Sequence, residues 1–139
     1  MLLSIIDQNL NKARDIVQKG GEDAILRVEE ILWRTGKEIM YYRVRGHSRK
    51  RKERLVDSFW HSNKVYKICR QAAEISIRQT LKDAVYYYNQ CEPICIHDAL
   101  NRVFGWAIQY KINLNDYPDF QYLKSEYHKN NLFMLDLNN

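Results

Sequence analysis

An all-α bundle of four to six helices, a single helical domain over residues 1–139, is the fold class this sequence predicts, on three observations. Apolar residues recur at intervals of three and four along nearly the whole chain, as they do in helices that bury one face. Proline occurs only at Pro93 and Pro118, each beside other turn-forming residues. The five glycines form no phosphate-cradling loop, and no segment repeats at a fixed period. A chain of 139 residues with 45% hydrophobic content buries roughly two-thirds of its unfolded surface and needs no metal or disulfide staple.

The first helix places Ile6, Leu10, Ala13 and Val17 on one stripe, with Ser4 and Asp7 as a capping box and Gly20-Gly21 as its stop. Ile25, Val28, Leu32 and Ile39 form the stripe of a second helix, with Trp33 and Met40 beside it, running to Gly46 and pairing with the first as an antiparallel hairpin. From Arg51 to Gln90 the apolar signal continues through Leu55, Phe59, Tyr66, Cys69, Ala73, Ile77, Leu81, Ala84 and Tyr88. A single helix of that span would be ~60 Å long, so a break is expected at His61-Ser62-Asn63, with Ser62 or Asn63 capping the next helix. Cys91-Glu92-Pro93 ends the region. His97 or Asp98 opens a further helix with Leu100, Val103, Phe104, Ala107 and Ile108 on one face, inside which Gly105 permits close packing, and which runs to about Lys111. Asn113 to Asp116 reads as a turn, and Pro118 as the first turn of a last helix carrying Phe120, Leu123 and Tyr127.

Charge is the most informative feature for function. Arg43 to Arg54, RVRGHSRKRKER, holds seven basic residues against Glu53, a local charge of +6. The other 127 residues carry 15 basic and 16 acidic side chains, so the net +5 of the protein is one patch on a balanced chain. A charge concentrated in this way draws polyanions, whereas scattered charge mainly aids solubility. The patch falls between the second and third helical regions, as an exposed loop or as the first turns of the third helix. In a helix, residues 49–54 would wrap around the axis, and at most about half would touch one duplex.

These residues point to a small, non-enzymatic nucleic-acid-binding protein, for RNA or DNA, that holds backbone phosphates through Arg43, Arg45, Arg49, Lys50, Arg51, Lys52 and Arg54. Tyr41 and Tyr42 precede the patch; Phe59, Trp60 and His61 follow it. Phe59 lies on the apolar stripe and is expected in the core. Tyr42 and Trp60 are the rings expected to stack on unpaired bases. The same basic run also reads as a contact for a partner protein or membrane surface, as a solvated loop, or, in a eukaryotic or viral setting, as a nuclear-localisation signal.

Other constellations carry less. Cys91, Cys95 and His97 supply three zinc-ligand residues at an unconventional spacing where structural zinc needs four, the fourth to come from Cys69, His61 or His128, so no metal or cofactor is expected. A cysteine nucleophile there lacks an orienting partner. RLVDSFWH, from Arg54 to His61, fits the loose arginine, four-to-six-residue, histidine pattern associated with small helical HEPN-type ribonucleases, in which histidine moves a proton and arginine meets phosphate charge. Leu55 stands where that pattern usually has a polar residue. Eleven arginines and four histidines yield roughly one such match by chance, so no family is assigned on it. A metal-independent ribonuclease using Arg54 and His61 is therefore the weakest of three readings.

The second reading is an oligomerisation or protein-interaction module. Tyr86-Tyr87-Tyr88 spans most of a helix circumference, so at least one ring is expected at the surface or in an interface. Leu132, Phe133, Met134, Leu135 and Leu137 form an apolar tail over 132–139 that either folds back or docks on another subunit. The acidic residues read as surface ion pairs, Glu30 with Arg34, Asp57 with Arg54 and Glu74 with Arg78. The apolar MLLSII start is cut off at Asp7 and no apolar run approaches ~20 residues, so no membrane partner is expected. Three cysteines without export features point to reduced thiols and a cytoplasmic setting.

Overall fold

The structure, a computed structural model, describes the backbone over 2–41, 48–90 and 94–129, and the side chains over 4–41, 48–90 and 96–129. It is an all-α helical bundle, with six α-helices and one short 3₁₀ turn among the described residues. They are α1 (Leu2–Lys19), α2 (Ala24–Tyr41), α3 (Arg49–Trp60), α4 (Asn63–Asn89), α5 (Ile94–Tyr110), a 3₁₀ turn at Leu114–Asp116, and α6 (Pro118–Lys129). The chain divides into two compact units, Met1–Ile75 and Ser76–Asn139, with the division inside α4. No helix among the described residues is long and apolar enough to cross a membrane.

In the first unit α1 packs on α2, and α2 on α3. Leu10, Ala13 and Ile16 of α1 meet Ile25, Val28, Leu32 and Ile39 of α2, four residues with no exposed surface. Each fully buried aliphatic side chain contributes about 1.5–3 kcal/mol relative to exposure, so this stripe holds the hairpin. One polar link lies within it: the Asn9 amide donates to Thr35 Oγ1 at 3.0 Å and to Glu38 Oε2 at 3.3 Å, and the Thr35 hydroxyl donates to the Ile31 carbonyl at 2.8 Å. Gly20 ends α1 at φ +73°, a left-handed conformation that glycine adopts without strain, and donates to the Ile16 carbonyl at 2.9 Å. The helix begins at Leu2, so Ser4 lies inside it and the expected Ser4–Asp7 capping box does not open it.

The expected break at 61–63 is present. His61 closes α3, and the Ser62 hydroxyl accepts from the Val65 backbone N–H at 3.2 Å, capping α4. Val65, Ile68, Cys69, Ala72 and Ala73 of α4 are buried, while Tyr66 is exposed, one position away from Val65 on the helix surface.

The second unit is built from Ile77, Leu81 and Ala84 of α4, from Ile96, Ala99, Leu100, Val103 and Ala107 of α5, and from Leu114, Phe120, Leu123 and Tyr127. Helix α5 starts at Ile94, earlier than the expected His97 or Asp98, because Ile96 is fully buried and carries the apolar stripe one turn upstream. Ile108, assigned from the sequence to that stripe, is 78% exposed, since the buried positions run 96, 99, 100, 103 and 107 and turn 108 outward. Gly105 does not mediate close packing; a Cβ there would meet nothing within 4 Å. Lys111, at φ +54°, closes α5, and the Ile112 N–H bonds the Ala107 carbonyl at 2.9 Å in a Schellman arrangement. The 3₁₀ turn and the Pro118 start of α6 stand where the sequence puts them. Gly46, Cys91, Pro93 and the tail 132–139 lie outside the described residues, as does the side chain of Cys95.

Candidate functional site

The basic segment enters the structure as the start of α3. Ser48 is its N-cap, extended at φ −73° and ψ 164°, and its hydroxyl accepts from the Arg51 backbone N–H at 3.2 Å. Arg49, Lys50, Arg51, Lys52 and Arg54 follow within the first two turns, with no acidic residue in the first. Glu53 is taken by Arg49 at 3.3 Å, a pair whose arginine side chain is 86% exposed. Lys50, Arg51, Lys52 and Arg54 form no ion pair among the described residues. Tyr42, Arg43 and Arg45, expected in the same patch, lie outside the described residues.

This placement runs against the helix's own electrostatics. Unsatisfied N–H groups give a helix N-terminus about half a positive charge, so each exposed cation there is disfavoured by roughly 0.3–1 kcal/mol at low salt. Lys50, Arg51 and Lys52, in the first turn and without an ion pair among the described residues, raise the local positive potential there. Only Phe59 of α3 is buried, so the helix adds little to the core.

Helical periodicity divides these residues between two faces. Arg49, Lys52, Val56 and Trp60, spaced three, four and four apart, line a groove of about 600 Å³ against Trp33, Gly36, Lys37, Met40 and Tyr41 of α2. Lys50, Arg51 and Arg54 are exposed outside that lining. Arg49 and Lys52 come from the start of α3 and Trp60 from its end, while Trp33 and Tyr41 stand about two turns apart on α2. Trp60 is 38% exposed and makes an edge-to-face contact with buried Phe59 at 5.6 Å, as the sequence leads one to expect for both rings. Its indole packs against Gly36 of α2: a Cβ there would stand 3.2 Å from Trp60 Nε1, close enough that the ring would have to give by a few tenths of an ångström. Trp33 is 57% exposed, and the Lys37 ammonium sits 3.8 Å from its ring centroid, a cation–π contact.

Trp33, placed from the sequence only beside the stripe of the second helix, and Gly36 and Lys37 are not read as site residues there, although a signal for them exists. Trp33, Gly36, Lys37, Met40 and Tyr41 follow the intervals 3, 1, 3 and 1, a second face on α2 turned away from its aliphatic stripe, with a glycine inside an otherwise sound helix.

Arg54 and His61 lie seven residues apart and so share a face of α3 at about 10 Å along its axis. The His61 Nδ1 atom is 2.8 Å from the Asp57 carbonyl and 3.4 Å from its carboxylate. Asp57 thus contacts His61, four residues on, and not Arg54, three residues back, while Glu74 pairs with Arg70 rather than with Arg78, which stands at the same four-residue spacing on its other side. The expected Glu30–Arg34 pair is present at 2.6 Å. Among the described residues no three metal-ligating side chains converge.

In the second unit Tyr86, Tyr87 and Tyr122 are exposed, while Tyr88 is half-buried and donates its hydroxyl to Glu126 at 2.7 Å. Scans of protein-family models, of curated proteins and of solved structures found no match to this chain.

Proposed function

We propose that the protein binds nucleic acid through α3, whose Arg49, Lys50, Arg51, Lys52 and Arg54 meet backbone phosphates. The observation that carries this reading is the concentration of five cations on the first two turns of a capped helix, four of them without an ion pair among the described residues, where the helix dipole adds to the charge of the first turn instead of offsetting it. An anionic strand lying along α3 relieves that repulsion and releases its own counterions, so affinity depends on salt and little on base sequence. Arg supplies forked donors to phosphate oxygens and Lys a mobile point charge.

The test compares the full chain with a variant carrying glutamine at these five positions, binding labelled RNA and DNA strands over a range of salt. The native protein should show a log–log salt slope of about −2 or steeper, as expected when two to three phosphates are neutralised, and the variant should lose binding. Binding indifferent to the substitutions removes the reading.

A second reading is favoured by Tyr86, Tyr87 and Tyr122, three exposed rings of the kind enriched in protein interfaces. It makes the protein a self-associating module. Light scattering without nucleic acid distinguishes the two, since only the second predicts a particle larger than 16.7 kDa that shrinks when these tyrosines become serine.

A further inference from the structure

We infer that the groove between α2 and α3 receives an unpaired nucleobase, so that the ligand is a single strand, RNA or DNA, with its phosphates along α3 and a base against the indoles of Trp33 and Trp60. This inference rests on the reading of α3 as a phosphate-binding helix and adds to it the strandedness of the ligand.

The groove is built for a flat, uncharged ring attached to an anion. Two of the chain's three tryptophans line it, both open to solvent, where large aromatic rings would otherwise be drawn into a core. Gly36 costs α2 about 1 kcal/mol relative to alanine, and the indole of Trp60 packs against it as one wall of an open groove. Met40 and Val56 add apolar surface to the lining, of the kind that suits the face of a base.

The cations stand where a strand would need them. Lys52 precedes Trp60 by eight residues, about 12 Å along α3, or three to four nucleotides of a stacked strand at ~3.4 Å per phosphate. The Lys37 ammonium on the face of Trp33 sits within the same groove, able to exchange its ring contact for a phosphate when a base takes the ring. Duplexes keep base faces covered by their neighbours, and a volume of about 600 Å³ admits a base or two and no double helix. An apolar helix of a protein partner would bring hydrocarbon against Lys37, Arg49 and Lys52, so the charges favour a polyanion.

The experiment measures, with the full chain at low salt, the affinities of a short oligouridine, an oligothymidine, an abasic deoxyribose-phosphate strand of equal length, and duplex DNA. Strands bearing bases should bind about tenfold or more tightly than the abasic strand, the size of the effect of stacking one base. Trp33→Leu and Trp60→Leu should each remove most of that excess and leave abasic affinity unchanged. Circular dichroism melting checks that both variants fold, and if Trp60→Leu does not, the more exposed Trp33 carries the test alone. Equal affinity for base-bearing and abasic strands, or tighter binding of the duplex, overturns the inference; if the α3 glutamine variant still loses that binding, the phosphate reading survives it. An absence of binding to every strand removes both. The ratio of oligouridine to oligothymidine affinity then separates RNA from DNA as the source.

Discussion

Aromatic side chains behave differently in the two units, and the difference shows what the surroundings decide. In the second unit Phe104 meets Phe120 edge to face at 5.6 Å, Tyr127 is buried, and Tyr88 packs against Tyr122 at 6.2 Å while its hydroxyl reaches Glu126. Apolar stripes on α4, α5 and α6 take Phe120 and Tyr127 out of water and partly cover Phe104 and Tyr88, while Tyr122 stays exposed at their edge. In the first unit Trp33 and Trp60 flank a glycine and three cations, and both rings are exposed. The same residue class builds a core where neighbours are aliphatic and an open wall where they are charged.

Substitutions can break this comparison, starting with the largest effect. Leu100→Ala in the second unit removes a fully buried side chain from the α5 stripe and should cost about 2–5 kcal/mol, read from denaturant unfolding. Strand affinity of the protein that remains folded should stay at the native value, and a loss of affinity beyond the fraction unfolded would show that binding does not reside in the α2–α3 groove. Asn9→Ala removes the amide that links α1 to Thr35 and Glu38, and a loss of about 1 kcal/mol is expected. An unchanged midpoint would mean that the aliphatic stripe alone sets the register of the hairpin.

The smallest and sharpest contrast is between two helical glycines. Gly105→Ala places a methyl group in open space on α5 and should stabilise by about 0.5–1 kcal/mol through helix propensity alone. Gly36→Ala carries the same propensity gain but sets a methyl 3.2 Å from the Trp60 indole nitrogen, so its gain should be smaller or reversed and Trp60 should shift, read as a change in tryptophan emission. Equal stabilisation at both positions would show that Trp60 does not depend on Gly36 for its place.

Much of the bundle was legible because burial imposes periodicity. Ile25, Val28, Leu32 and Ile39 are spaced as a buried face must be, and all four are fully buried. Ser62 as the α4 cap and Pro118 at the start of α6 were legible for a local reason: each acts on backbone groups within three residues. Where a local signal competed with burial in α5, burial won: the helix begins at Ile94 because Ile96 belongs to the core. Ser4 and Asp7 resemble a cap but lie within α1. Ile108 misled because hydrophobicity alone does not say which side of a stripe a residue falls on.

For the candidate site, the sequence by itself determined that a charge of +6 lies within twelve residues and that aromatic rings stand beside it, since composition and adjacency are properties of the chain. It also determined that cations on consecutive helical positions must face different ways, which follows from 3.6 residues per turn. Only the tertiary structure decided that Arg49 and Lys52 share a groove with Trp60 while Lys50, Arg51 and Arg54 stand outside it, and that the groove's other wall is Trp33, Gly36 and Lys37. The reason is physical: a groove is a relation between two helices, set by which faces their buried stripes turn toward each other, and the chain's linear order does not contain it until α2 and α3 have packed.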